Sequence, residues 1–470
     1  MRRLSTIVGV AALVLVVAAA SPGRSAVTLS VRQASTAQLL VPRDQVEVKY
    51  VIDTAGVVEP TGTVYVRRDG QSAFTPLPLK LGVDITNGRH PSLYLVLPAR
   101  FLKGRRLFYY AQLRDPASGA SITIPAKGAR APQTSWIMHR PTVVGLRTYR
   151  FGHPQPAEAV VARASAKTVG WELQTQEGPN TFLVGRDRSI WLEDTWKHRM
   201  LVWRVGKPNE PVRTVPLPTE GRNDNSFEDV AFGPRGTLYV TRIQRGVPGF
   251  QVFRINAKTG KVLWKSSSSP LLSPTLPLSG MALRVGIDGA LYTFVSPQSF
   301  EAINVTGTPS YGWMPLATPA GKAVPPAQQF NRIVWGYEPA LAGHRFIAEN
   351  YVPPHWRYLP REMRFAIINR YGRLLHGWRI TSKTAIGSLY LQPQLLNGKV
   401  VADLAPARPG TLEHFFVRLD TKGLDAKASL PFRIWGDYHV TDVRVGPDGK
   451  IYALATSPKT GIVIRRYTLG

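Results

Sequence analysis

The sequence predicts an all-β chain in two parts, an N-terminal β-sandwich followed by six repeated four-stranded units. Three observations carry that prediction. Hairpin text such as "AFGPRGTLYV" and "RVGPDGKIYA" recurs at a near-constant interval. Short runs of alternating hydrophobicity fill residues 27–135, and all 11 Trp lie at or beyond Trp136. Gly (41) and Pro (39) are frequent but dispersed, as a turn-rich β chain of 470 residues requires.

Residues 1–26 stand apart from the fold. Arg2 and Arg3 precede the apolar run "IVGVAALVLVVAAA", which leads into "SPGRSA". That is the layout of a secretory signal peptide, with cleavage after Ala20 or Ala26. The run is short for a membrane span, and no other stretch approaches 18 apolar residues. An uncleaved N-terminal anchor is the alternative. The expected location is therefore outside the cytoplasm, secreted or held at the cell envelope.

The chain has no Cys, which excludes disulfides, thiol chemistry and a lipid-modified N-terminal cysteine. Its stability has to come from core packing. With 59 Lys+Arg against 30 Asp+Glu the net charge is +29, and setting aside Arg2 and Arg3 leaves about +27. Such a balance favours polyanionic partners: envelope polymer, acidic glycan, lipid headgroups or nucleic acid. For an exported chain without a nucleic-acid fold, nucleic acid is the weakest of these.

Residues 27–135 offer about seven strand-like runs, among them "VTLSV", "QVEVKYVI", "TVYVRR", "SLYLVLP", "RLFYYAQL" and "ASITIP". In "RLFYYAQLR" the alternation puts Leu107, Tyr109, Ala111 and Leu113 on one face, the pattern of a half-buried strand. Seven strands in this length predict a sandwich of the immunoglobulin or fibronectin kind. The end of this part, "LFYYAQLRDPASGASITIP", resembles the final hairpin of those domains.

Beyond residue 136 the hairpin turns align on Arg188, Gly236, Gly289, Gly343, Gly398 and Gly449, at intervals of 48, 53, 54, 55 and 51 residues. A third strand follows each hairpin: "RMLVWRV", "FQVFRIN", "SFEAINV", "FAIINRYG", "HFFVRLDTKG" and "GIVIRRYTLG". A fourth follows in the first five: "PVRTVPLP", "GKVLWKS", "YGWMPLA", "RLLHGWRI" and "AKASLPF". Four strands at this period predict a six-bladed β-propeller over 136–470. The last unit lacks its outer strand, and an open edge has to be covered. Thr142 to Phe151, "TVVGLRTYRF", is the expected donor, pairing with the strand around Val463 to Tyr467.

The text "AFGPRGTLYV" and "RVGPDGKIYA", followed by "xVFRI"-type strands, resembles NHL-type propellers and their relatives, the streptogramin lyases and gluconolactonases. "INAKTGKVLWK" (Ile255 to Lys265) resembles one repeat of the quinoprotein-type propellers. These resemblances imply a fold. A metal at the propeller mouth is implied only by location, because none of the relatives' functional residues aligns one for one.

Signatures of familiar catalysis are absent: no Gly-x-Ser-x-Gly elbow, no His-Glu-x-x-His helix, no phosphate-binding Gly-rich loop and no dinucleotide fingerprint. Asp288 and Asp448 sit in hairpin turns and are read as turn residues rather than calcium ligands. The loops leading into the inner strands bring Glu177, Asn180, Asn223, Asp224, Asn225, Glu228, Asp437 and His439 to one face. The loops leaving the second strands add Glu193, Asp194, His198, Glu349 and Asn350. Oxygen donors converging there, Glu228, Asn225 and Asp437 first, would suit Ca²⁺ or Mg²⁺. His198, His439 or Glu228 could then serve as acid or base. The plainer reading makes these residues solvated loop polars and strand caps, with Asp229 and Asp442 bonded to backbone.

A second feature is "HWRYLPREMRFAIINRYGRLLHGWRI", where six arginines interleave with aromatics. Arginine and aromatic side chains together suit glycans or phosphates. Much of this run reads as third and fourth strand, where alternate residues are polar because they face water. Trp356 and Arg357, in the loop between, escape that explanation. The sequence thus leads to an exported envelope binding or scaffold protein without catalysis, carrying a small-molecule or anionic-glycan ligand. The alternative is a metal-assisted, lactonase-like lyase or hydrolase at the propeller mouth. A quinone-dependent dehydrogenase is more distant, since one unit alone carries that repeat text.

Overall fold

The structure, a computed structural model, describes residues 29–35, 37–84, 89–146, 153–171, 178–179, 181–218, 225–244, 250–267, 283–286, 288–295, 312–325, 329, 334–335, 338–341, 344–351, 361–369, 371–383, 386, 394–396, 399–404, 413–431 and 443–470. The expected leader, residues 1–26, lies outside them. The chain is all-β, and its described residues form eight sheets. Among the described residues no helix is long and apolar enough to cross a membrane.

Two sheets come first along the chain. One orders Val31–Ser35, Glu47–Ile52, His90–Val96 and Lys80–Asp84 side by side. The other orders Leu39–Leu40, Gln133–Ile137, Arg106–Arg114, Thr61–Arg68 and Thr75–Pro78, with Ser121–Ile124 also on Arg106–Arg114. The alternation foreseen in "RLFYYAQLR" is present: Leu107, Tyr109, Ala111 and Leu113 are buried in a core shared with Val48, Tyr50, Ile52 and Leu93 of the facing sheet. The composition step at Trp136 falls inside a strand rather than between parts, because Gln133–Ile137 belongs to the second of these sheets.

Six further sheets follow. The first five take four consecutive strands each, opening with the inner strands Thr181–Val184, Asn225–Gly233, Leu283–Val285, Glu338–Leu341 and Gln394–Leu396. The sixth takes Val443–Val445, Ile451–Ser457 and Gly461–Tyr467, and borrows Ala159–Ala164 as its fourth strand. The hairpin turns foreseen at Arg188, Gly236, Gly289 and Gly449 are present, and those foreseen at Gly343 and Gly398 lie outside the described residues. Gly185, Gly286 and Gly446 each donate across the turn to Ser189, Ala290 and Lys450, at 2.8 to 2.9 Å. The turns place a left-handed residue at Gly236, Gly289 and Gly449, at φ of 69°, 77° and 74°, and in the second sheet Arg235 is left-handed too, at φ 56°. Arg188 fills that place at φ 62° in the first sheet, without glycine's freedom. Asp288 and Asp448 act as turn residues, each accepting from its own turn backbone and from Tyr292 or Tyr452.

Two strand expectations need correction. Thr142–Gly145 does not pair with the C-terminal strand; it runs parallel to Leu374–Thr381 and widens the fourth sheet to five strands. Ala159–Ala164 pairs antiparallel with Gly461–Tyr467 instead. Both segments have strand composition, and sequence does not say which sheet edge each one meets. In the third sheet "GWMPLA", expected as fourth strand, is the third, and Val334–Trp335 is the fourth. The expected third strand, "SFEAINV", lies outside the described residues.

Hydrophobic clusters join neighbouring sheets, in one run from the sixth through the first and second to the third and in another from the fourth through the fifth to the sixth. Tyr452 and Ile464 of the sixth meet Leu192 and Trp203 of the first, and Met200 and Val202 of the first meet Val240 and Phe253 of the second. Tyr239 and Val252 of the second meet Leu291 and Met314 of the third. Phe365 and Trp378 of the fourth meet Phe415 and Val417 of the fifth, whose Phe416 and Leu430 meet Ile451 and Tyr467 of the sixth.

The other face of the fourth sheet packs on the N-terminal sheets. Ile347, Ala366 and Ile368 bury against Leu39, Trp136 and Met138. Trp136 Nε1 donates to the Gly372 carbonyl at 2.8 Å. Full burial of such side chains is worth about 1.5–3 kcal/mol each. On the same face, fully buried Arg364 donates through Nη2 to Asp44 Oδ1 at 2.9 Å, through Nη1 to the Leu39 carbonyl at 2.7 Å, and through Nε to Glu362 Oε1 at 2.6 Å. The expectation that alternate arginines of this run face water fails at Arg364, because its sheet face is covered by Leu39, Asp44 and Trp136 at the edge of the second N-terminal sheet.

Candidate functional site

The inner strands of the sixth, first, second and third sheets lie side by side, and their chemistry centres on Asp229. Asp229 sits on Asn225–Gly233, directly after a β-bulge between Phe227 and Asp229. The bulge interrupts the alternation and turns a carboxylate inward, where it is fully buried. Oδ1 accepts the Val230 amide at 2.8 Å and the Thr181 hydroxyl at 2.9 Å. Oδ2 accepts the Leu283 amide at 2.7 Å. Arg444, from the sixth sheet, donates through Nη2 to Asp229 Oδ1 and to Thr181 Oγ1. The Asp229 amide and carbonyl both engage Thr241 Oγ1 at 3.0 Å.

A carboxylate this deep costs several kcal/mol unless paired and hydrogen-bonded. Here it is both, and the partners come from four sheets. The plainer sequence reading of Asp229, a carboxylate bonded to backbone, is therefore present in the structure, with Arg444 added. Arg444 was missed as a site residue although a signal existed. "LRVG" (Leu283 to Gly286) and "VRVG" (Val443 to Gly446) place Arg284 and Arg444 at one register, opposite Tyr292 and Tyr452. Arg284 takes a different partner and lies over the Trp313 ring at 5.0 Å.

Asp194 ends the second strand of the first sheet and is fully buried. Its Oδ1 accepts the Gly170 amide at 2.8 Å, and its Oδ2 accepts Arg199 Nε at 2.9 Å. Arg199 Nη2 also donates to the Thr168 carbonyl at 2.5 Å. This fastens the segment following Ala159–Ala164 onto the first sheet. Gly170 makes the approach possible, since a Cβ there would stand 2.6 Å from Trp196 Cβ. Glu193, opposite Thr181 across the hairpin, is buried with Thr195 Oγ1 at 3.4 Å from Oε1.

His198 caps the short Thr195–Lys197 turn in a left-handed conformation, φ 47°. Its backbone carbonyl accepts the Leu217 amide at 2.8 Å. Asn225 and Glu228 both lie on the Asn225–Gly233 strand, and Glu228 is the bulge residue. Asn350 lies on His344–Tyr351 opposite Met363. Glu177, Asn180, Asn223, Asp224, Asp437, His439, Asp442, Trp356 and Arg357 lie outside the described residues. Among the described residues no three His, Asp or Glu side chains gather as metal ligands would.

Of the described carboxylates at this end of the sheets, Asp194 and Asp229 are engaged by arginine and backbone donors, and Glu193 has Thr195 Oγ1 beside it. What the arrangement does chemically is join sheets. No protein-family model matches the chain, and no curated protein matches it.

Proposed function

We propose that this chain is an exported, non-catalytic binding and scaffold protein of the cell envelope, built as a β-sandwich followed by a six-bladed propeller. In this reading, the six sheets are blades, and Ala159–Ala164 beside Gly461–Tyr467 is the closing strand that joins the two ends of the array. The single observation carrying the non-catalytic reading is the Asp229–Arg444 centre. Its carboxylate accepts from Val230, Thr181, Leu283 and Arg444, so the group best placed for chemistry ties four blades together. The partner is an acidic glycan or other anionic envelope polymer, attracted by the +29 net charge.

Isothermal titration of the mature chain with polygalacturonate, and with neutral dextran as control, tests this. Binding that weakens steeply with NaCl and is absent for dextran is expected. No heat with polygalacturonate at low salt refutes the partner. A melting midpoint that rises on adding Ca²⁺ or Mg²⁺ and falls with EDTA refutes the non-catalytic reading in favour of metal-assisted chemistry, because an ion bound only to the folded state stabilises it by mass action.

A further inference from the structure

The strands Thr61–Arg68 and Arg106–Arg114 turn Val64, Val66, Leu107 and Tyr109 into the core and a different set outward. The outward set is aromatic and cationic. Tyr65 and Tyr110, directly opposite in register, stack at 4.6 Å and 4°. Phe74 meets Tyr110 edge-on at 5.0 Å. The Arg67 guanidinium lies 4.9 Å from the Phe74 ring and 4.6 Å from Phe108, and Arg106 lies 5.1 Å from Phe108. These side chains are half-buried by one another.

The same sheet face continues into the junction with the fourth repeat sheet. Trp136 pairs with Arg106 in register and donates to the Gly372 carbonyl. Beside Gly372, Tyr371 is 72% exposed. A floor of stacked rings thus runs to a wall that carries one more aromatic. Four strands at ~4.8 Å make the floor about 14 Å wide, the span of a short oligosaccharide.

We infer that this outward face, from Phe74 to Tyr371, is a binding surface for an acidic polysaccharide, with the rings contacting pyranose faces and Arg67 and Arg106 meeting carboxylates. The inference rests on the anionic-polymer reading above and adds where on the chain the polymer sits. Charge complementarity is its first support. The nearby carboxylate of Asp69 is engaged by Arg106 Nε at 2.9 Å, while Lys127 and Arg130 stand exposed on the turn whose Gly128 approaches Tyr110. Arg67 Nη1 donates to the Gln71 carbonyl at 2.9 Å, which fixes the guanidinium over the rings of Phe74 and Phe108 and holds its charge at this face.

The form of the rings favours sugar over nucleobase. Tyr65 and Tyr110 close on each other, so no base can enter between them. They present instead a hydroxyl rim, where Tyr65 Oη donates to Gln112 Oε1 at 2.9 Å and leaves the exposed Gln112 amide to donate outward. Hydroxyl and amide groups beside apolar ring surface match the mixed polar and C–H faces of a pyranose.

The test is titration of polygalacturonate into the full mature chain and into R67Q and Y65S/Y110S variants, with circular dichroism melts of each. A K459Q variant, which removes an exposed cation from a hairpin turn of the sixth repeat sheet, serves as the control for a general loss of charge. The expected result is a dissociation constant at least tenfold weaker for R67Q, about 1.4 kcal/mol, with an unchanged melt. Y65S/Y110S is expected to weaken binding at least as much, and the control to bind as wild type. Wild-type binding retained in a folded R67Q protein overturns the location and leaves the anionic-polymer reading standing. Absent binding in wild type overturns both. Equal affinity for poly(dT) overturns the preference for sugar.

Discussion

Replacing Asp44 by Ala tests whether the junction between the N-terminal sheets and the fourth repeat sheet is held by a buried charge. Arg364 has no exposed side-chain surface, and Asp44 takes two of its donors, Nη1 at 2.5 Å and Nη2 at 2.9 Å, while accepting the Val41 amide at 2.7 Å. Removing one partner of a buried pair typically costs 3–5 kcal/mol, because the remaining charge is stranded. Arg364 keeps Glu362, which is itself bonded to Arg379 at 2.6 Å, so the cost belongs at the low end, about 3 kcal/mol. Burial pushes the Glu362 carboxyl up, and the bond from Arg379 with the charge of Arg364 more than offsets it, leaving it below its usual value. It therefore stays ionised and continues to neutralise Arg364 at neutral pH. The assay is urea unfolding of wild type, D44A and the double variant D44L/R364M. The double variant should recover part of the loss, since apolar replacement strands no charge. A D44A cost below about 1 kcal/mol would place Arg364–Asp44 with solvent-screened pairs and refute the reasoning.

Asp229→Ala should lower the urea midpoint by the equivalent of about 3 kcal/mol or more without changing the slope, because it strands Arg444 and the Leu283 amide; an unchanged midpoint would deny the centre its structural role. Arg188→Gly should stabilise by about 0.5 kcal/mol, since φ 62° costs an ordinary side chain more than glycine's extra unfolded entropy; a destabilised variant would mean the Arg188 side chain contributes contacts of its own. Glu158 is held down to about 2 by the hydrogen bond from Lys450, by that from Thr468 and by Arg466. Its stabilisation is present above the ordinary value of 4.5 and is lost as pH falls from there through about 2. Melting curves between pH 5 and about 2 should therefore drop less for Glu158→Gln than for wild type, the difference shrinking in high salt because the site is exposed. Parallel curves for the two proteins would reject that assignment.

What could be read from sequence was local. The repeated hairpins were legible because a left-handed residue and an Asp at fixed positions define the turn within five residues, wherever the chain then goes. Asp229 was legible as a strand-end carboxylate tied to backbone, and Asp288 and Asp448 as turn residues. Partner choice was not legible. Thr142–Gly145 and Ala159–Ala164 are both short β-forming segments, and only packing decides that the first joins the fourth sheet and the second completes the sixth. Arg364 reads as an outward strand residue because alternation gives a face and not what covers it. Arg444 reads the same way, and its partner Asp229 lies 215 residues away.

These non-local choices share a physical logic. The chain leaves the N-terminal sheets at Met138 and at once lays Thr142–Gly145 on the outer edge of the fourth sheet, the same sheet whose face those N-terminal sheets cover. Thr142 donates to the Thr421 carbonyl at 3.0 Å and lies 3.0 Å from His376 Nε2, and the Leu146 amide donates to Thr381 at 2.8 Å. A four-residue parallel strand is weak alone, because parallel pairing is less stable per residue and the segment is short. It becomes firm when the sheets preceding it are docked by Trp136 and Arg364, which bring its ends to the edge and remove most of its ordering entropy. The edge strand and the docked face therefore stabilise each other. The chain then has to travel on to Ala159–Ala164 to cover the remaining open edge beside Gly461–Tyr467. One connector protects two edges, and it can do so only in this order.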